Sequence, residues 1–145
     1  MSDRRYWIIV AVTSHVTPAV KAGFASFGPD NQSVADRPAP GDWVATYSPS
    51  DEMNGETEVR RITSVAQIED DTAELRDMPD DGQSWTRLAT YHHDRTADIY
   101  DLLDDFSFVK DRSHWGVHFH RSILEIEKSD MLAIARATGV DGRKL

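Results

Sequence analysis

Apolar and polar positions along the chain fall into strand-like and helix-like stretches. Tyr6-Trp7-Ile8-Ile9-Val10-Ala11-Val12-Thr13 is an unbroken run rich in aromatic and β-branched residues, which predicts a strand buried on both faces. Ser14-His15-Val16-Thr17-Pro18 turns the chain. Thr17 as N-cap with Pro18 at the first helical position predicts a short helix to about Ala22, stopped at Gly23, because the N–H that proline lacks is not needed there. Ser26 to Pro40 carries Gly28, Pro29, Asp30, Asn31, Pro38 and Pro40 and reads as loop. Pro40-Gly41-Asp42 turns into a second strand, Trp43-Val44-Ala45-Thr46-Tyr47. Ser48-Pro49-Ser50-Asp51 closes that strand, and a loop runs on past Asn54-Gly55.

Glu58 to Ile68 predicts a long strand whose alternation is imperfect, as expected where a strand bends around a barrel and carries bulges. Asp70 to Gly82 is a polar, acidic connection. Ser84 to His92 predicts a further strand with Trp85, Arg87, Ala89 and Tyr91 on one face. Ile99, Leu102, Leu103 and Phe106 recur at i, i+3, i+4 and i+7, which predicts an amphipathic helix capped by Thr96. Trp115 to His120 and Ser122 to Ile126 read as short strands. Ser129 caps a final helix with Met131, Ile134, Ala135 and Thr138 on its apolar side, ended by Gly139. Five or six strands and three short helices give an α+β class, a strongly bent β-barrel with flanking helices. A doubly wound sheet is a poor match, since strands do not alternate with full crossover helices.

A length of 145 residues predicts one domain, spanning 1–145. Hydrophobic residues at 39% and charged residues at 28% are a soluble globular composition, and no apolar run is long enough for a membrane span. With no cysteine there is no disulfide, thiolate metal site or cysteine nucleophile, and a cytoplasmic protein is the plain reading. Sixteen basic against 25 acidic residues give a net charge of −9, so a chain-wide basic footprint for duplex nucleic acid is missing. Much of the acidity sits in Asp70-Asp71, Asp77, Asp80-Asp81, Asp101 and Asp104-Asp105, which read as solvated turns and helix faces.

Motifs with fixed chemistry are scarce. His118-x-His120 on a strand would put two imidazoles on one side, but no third ligand stands at a metal-site spacing, so no metal is expected. There is no Gly-x-Ser-x-Gly elbow, no Gly-x-x-x-x-Gly-Lys phosphate loop and no Gly-x-Gly-x-x-Gly turn. The aromatics say more. Phe24, Tyr47 and Trp115 each stand beside small or polar turn residues, namely Gly23, Ser48-Pro49 and Gly116. Each is a core candidate. An aromatic side chain at a turn can also wall a pocket in which a flat base stacks, a contact worth about 1–3 kcal/mol per base. A pocket for one extruded base needs few phosphate contacts, which reconciles nucleic-acid binding with an acidic chain.

Tyr6-Trp7-Ile8-Ile9-Val10 with Ser14-His15, then Gly23-Phe24-Ala25, Pro40-Gly41-Asp42-Trp43-Val44 and Tyr47-Ser48-Pro49, are landmarks in a recognisable order. Phe106-Ser107-Phe108-Val109-Lys110-Asp111, Trp115-Gly116 and Leu124-Glu125-Ile126 complete them. Together, over about residues 5–138, they resemble the EVE domain family. The resemblance implies a PUA-like fold related to the YTH readers of methylated adenine. It also implies binding of a modified base of DNA or RNA, or of a modified nucleobase, without a cofactor. By position it implies a pocket bounded by Thr13, Ser14 and His15, by Phe24, by Tyr47, Ser48 and Pro49, and by Trp115 and Gly116. Ser14 and Ser48 would bond the base edge, and Lys110 and Arg112 would meet flanking phosphates. The chain departs from the family at Ser26 to Gln32, where a basic, polar stretch usually follows. Two other readings stay open. One is an ASCH-type hydrolase of modified nucleosides using Lys110 and Asp111, and the other is a protein-interaction domain with a vestigial pocket. Oligomeric state is not legible.

Overall fold

A computed structural model describes residues 4–51, 57–78 and 82–145. The Asn54-Gly55 turn and Asp80-Asp81 lie outside the described residues. Strands β1 (Tyr6–Val10), β2 (Phe24–Ser26), β3 (Trp43–Ser50), β4 (Glu58–Ile68), β6 (Gln83–Tyr91) and β8 (Ile123–Ile126) form one curled sheet in the order β2-β6-β4-β3-β1-β8. Two short strands attach to its side, β5 (Glu74–Asp77) on β6 and β7 (Ala97–Asp98) on β4. Among the described residues only the β1–β3 pair is parallel; α1 (Thr13–Ala22) lies between these strands in the chain, as a parallel connection requires. The expected α+β bent sheet with short flanking helices is what forms.

The sheet buries both faces, which is why β1 reads as an unbroken apolar run. On one face Tyr6, Ile8, Trp43, Ala45, Tyr47, Ile62 and Val65 pack with Ile99, Leu103, Phe106, Met131 and Ile134. On the other, Trp7, Ile9, Val44, Ala66 and Ile68 pack with Ala25, Phe27 and Ala35. The bulges expected in β4 are present. Its register against β3 shifts between Thr46 and Tyr47 and again between Ser48 and Ser50, and Arg60 takes a left-handed φ of 51° there.

Several local expectations are corrected. Helix α1 starts at Thr13 rather than Pro18, its first turn closed by His15 and Val16 N–H groups donating to the Val12 carbonyl. Pro18 sits inside it and costs one bond, to the carbonyl of exposed Ser14. Gly23 ends it in the left-handed region, φ 83°. The Ser26–Pro40 loop contains one helical turn, α2 (Gln32–Ala35). The apolar stripe Ile99-Leu102-Leu103-Phe106 is fully buried as expected, yet it is built from two short 3-10 turns, Ile99–Asp101 and Leu103–Asp105. Asp98 and not Thr96 caps the first, accepting from the Tyr100 N–H at 2.9 Å. Trp115 to His120 is not a strand but part of a 3-10 segment, Arg112–Phe119. Helix α3 (Lys128–Thr138) is capped by Glu127, not Ser129; the Asp130 carboxylate reaches back to the Glu127 N–H at 2.9 Å.

Candidate functional site

Tyr47 and Pro49 are two residues apart on β3 and therefore share a face. The 3-10 segment after Asp111 brings Trp115, Gly116 and Phe119 up against that face. The Tyr47 and Phe119 rings are tilted together at 4.5 Å between centroids, and Trp115 meets Tyr47 edge-on at 6.0 Å. Trp115 also packs edge-on against Tyr100 at 5.5 Å and Phe119 at 5.9 Å, so one half-buried indole touches three rings. These four rings, with Pro49, Gly116, Arg60 and His120, line a surface cleft of about 350 Å³.

The second β4 bulge aims Arg60. In the left-handed backbone conformation, costly for a non-glycine residue by roughly 1–3 kcal/mol, its side chain reaches the cleft instead of continuing the ladder. It donates to the Tyr100 hydroxyl at 2.7 Å and to Glu58 at 2.9 Å. Burial pushes the Tyr47 phenol up to about 12, with the Arg60 charge pulling the other way. Tyr47 is therefore uncharged at neutral pH and gives the cleft an aromatic wall without an anion.

The structure separates the other expected residues from this cleft. Ser48 points to the opposite side of β3, where it is wholly buried and shares a 2.7 Å hydrogen bond with Thr63. Thr13 and Ser14 stitch the start of α1 to the end of β3. The Thr13 hydroxyl donates to the Ser50 carbonyl and the Ser14 N–H to that of Asp51. His15 borders a narrow void of about 10 Å³ with Ser26, Thr46 and Tyr91, room for no more than a water. Phe24 lies three strands from β3 in sheet order, opposite Leu88, with the Arg76 guanidinium 5.6 Å over its ring.

Lys110 belongs to a different recess, with Ser107, Phe108, Glu127 and Asp130. Arg112 is committed to Asp104 at 2.7 Å and to the Tyr100 carbonyl at 3.0 Å. Asp111 accepts from the Ser113 hydroxyl and faces His114 at 2.7 Å; these bonds, Ser113 first, hold its carboxyl at about 2. No ion pair joins Lys110 and Asp111 among the described residues. His118 and His120 are not on one strand face, for His118 packs against Phe108 while His120 borders the cleft. Among the described residues no three His, Asp or Glu side chains converge as a metal site would require.

Four cleft residues were not singled out as pocket walls from the sequence. Tyr100 is the exposed position beside the apolar stripe of Ile99 and Leu102, and Arg60 sits where the β4 alternation breaks. Both signals were legible as irregularities. Phe119 and His120 were hidden by reading their segment as a strand.

No family model matches the chain. It is 27% identical over 135 residues to a UPF0310 protein of Mycolicibacterium gilvum, covering 93% of this chain and 96% of that one. A UPF0310 protein of Bacillus subtilis is 28% identical over 139 residues, 96% of this chain and 95% of that one. Among solved structures, the YTH domain of the Zygosaccharomyces rouxii MRB1 protein, in complex with N6-methyladenosine RNA, superposes with a TM-score of 0.56. That match covers 97% of this chain and 88% of the YTH chain at 12% sequence identity. The chain thus has relatives named UPF0310, and it shares with this YTH domain an α+β fold of one curled mixed sheet with flanking short helices.

Proposed function

We propose that residues 1–145 are one EVE-type domain that binds a single modified base of DNA or RNA in the cleft between Tyr47 and Trp115, without chemistry of its own. The observation that carries this reading is the meeting of Tyr47, Tyr100, Trp115 and Phe119 around an open space of about 350 Å³, bordered by Arg60 and His120. A flat base stacks on such rings with about 1–3 kcal/mol per contact. Arg60, His120 and the Tyr100 hydroxyl supply donors and acceptors at the rim for the base edge. The shared fold with a YTH domain solved with methylated RNA supports the ligand class.

The reading is tested by tryptophan fluorescence during titration with short single- and double-stranded oligonucleotides. These carry cytosine, 5-methylcytosine, 5-hydroxymethylcytosine, adenine or N6-methyladenine at one position. Saturable quenching by one modified base and not by its unmodified twin is the expected result. A folded protein indifferent to every member of the panel refutes it.

A further inference from the structure

A second recess opens on the opposite face of the β1–β8 edge. It holds about 580 Å³ and is lined by Arg5, Trp7, Arg37, Arg121, Ile123, Leu124 and Glu125. Three guanidiniums gathered in one groove are unexpected in a chain of net charge −9, so what neutralises each decides what the groove can do. Arg5 is spoken for. It donates twice to Glu125, at 2.6 and 3.0 Å, and lies 4.7 Å over the Trp7 ring. The carboxylate beneath, Asp42, is buried and already accepts N–H bonds from Arg5, Ala39 and the Trp7 indole. Arg37 and Arg121 are exposed, and neither guanidinium has an ion pair or hydrogen bond among the described residues.

The place of Arg121 adds direction. It follows His120, which borders the aromatic cleft, and the next residue is pinned to β1 by the Val10 N–H donating to the Ser122 carbonyl at 3.2 Å. His120 lines the cleft and Arg121 the groove, so the two are linked through consecutive residues, one Cα step of about 3.8 Å apart. Resting on the cleft as the base site, we infer that the groove is the track for the phosphodiester backbone of the same strand, with Arg37 and Arg121 holding phosphates next to the recognised base. Two free guanidiniums suit a single strand. A duplex reader that relies on phosphates makes about 6–10 such contacts.

The test uses the whole chain and its double variant Arg37→Gln/Arg121→Gln, whose changes are on exposed side chains with no side-chain partner among the described residues. Fluorescence anisotropy is read from 50 to 200 mM salt with a labelled 12-mer RNA, unmodified or carrying one N6-methyladenosine, with a glutamate 12-mer as competitor. Two phosphate contacts to a single strand give a log–log salt slope of about −1.4, or about a sevenfold fall in affinity over that range. The variant is expected to lose that component on both RNAs while the ratio between modified and unmodified strands stays as in the wild type. An unchanged salt slope in the variant, or no binding of the unmodified strand by the wild type at 50 mM salt, overturns the groove. Equal competition by the glutamate peptide overturns its assignment to phosphodiesters. A salt slope lost as expected, with no discrimination between the two RNAs in any protein, leaves the groove standing and counts against the base site.

Discussion

Trp115 is where the proposed function and the fold are most tightly joined, and its replacement separates them. The indole is half-buried and meets Tyr47, Tyr100 and Phe119 at 6.0, 5.5 and 5.9 Å. Edge-to-face pairs contribute about 0.5–1.5 kcal/mol each beyond area burial. Trp115→Ala therefore costs about 2–4 kcal/mol of stability, a large share of the roughly 5–15 kcal/mol that holds a domain folded. Trp115→Phe keeps an aromatic face and most of the packing, and should cost about 1 kcal/mol. On binding, alanine removes a stacking partner worth about 1–3 kcal/mol, a loss of about 5- to 150-fold in affinity, whereas phenylalanine should lose less than about tenfold. Urea midpoints give the stability series. Anisotropy with the 12-mer carrying the preferred base, at a temperature where each variant is folded, gives the binding series. If Trp115→Ala is folded and binds that strand like the wild type, the cleft is not the base site. If phenylalanine and alanine bind equally poorly while stability follows the expected order, the indole acts through more than its face.

Two further outcomes follow from a buried and a half-buried polar group. Arg87 is almost wholly buried; it donates to the Asp70 carboxylate at 2.8 Å, to the Ala35 carbonyl at 2.9 Å, and to the Pro38 and Asp70 carbonyls, so Arg87→Met leaves several acceptors unpaired. The urea midpoint should fall by the equivalent of about 3 kcal/mol, and a loss under about 1 kcal/mol would refute a structural role for this network. Burial holds the His93 imidazole below its ordinary pKa, and its Nδ1 accepts from the Val65 N–H at 3.2 Å, a bond that protonation at Nδ1 destroys. Because the folded state binds this proton less readily than the unfolded chain, stability is full above about pH 6.5 and falls as pH drops through the lowered folded value. His93→Gln should flatten the melting temperature between pH 6.5 and 5, and an unchanged pH profile counts against the assignment.

The sequence is most informative where a residue's neighbours in the chain decide its place. The β1 run, the strands after Gly41 and Ser84, the buried face of α3 and the left-handed glycines at 23 and 139 all depend on local pattern and backbone freedom. The sequence says less where tertiary contact chooses between conformations that bury the same side chains. Ile99, Leu102, Leu103 and Phe106 are inside whether the backbone is α-helical or two 3-10 turns, and periodicity alone cannot tell them apart. The cleft shows the same division. Tyr47, Pro49, Trp115 and Gly116 line one cleft, whereas Ser48, between two wall residues, is turned inward by the period of its own strand. Arg60 enters only because a bulge breaks that period.

The acidity of the chain is easier to understand once each charge is followed to its partner. Glu125 is spent on Arg5, Asp70 on Arg87, Glu58 on Arg60, Asp104 on Arg112, and Asp141 on Arg143. These acids neutralise five of the twelve arginines of the chain, four of them on its surface. What remains for a strand in the proposed groove is Arg37 and Arg121, so little sequence-independent affinity is available there. On that reading, non-specific attachment to duplex DNA or to bulk RNA is expected to be weak, since that term scales with the number of phosphates neutralised. For a reader of a rare base this is an advantage, because ordinary sites outnumber the target and compete through their backbones alone. On the proposed reading, discrimination rests on the rings around Trp115, where a base is distinguished by its shape and edge, while two phosphate contacts add a modest, salt-sensitive affinity for any strand.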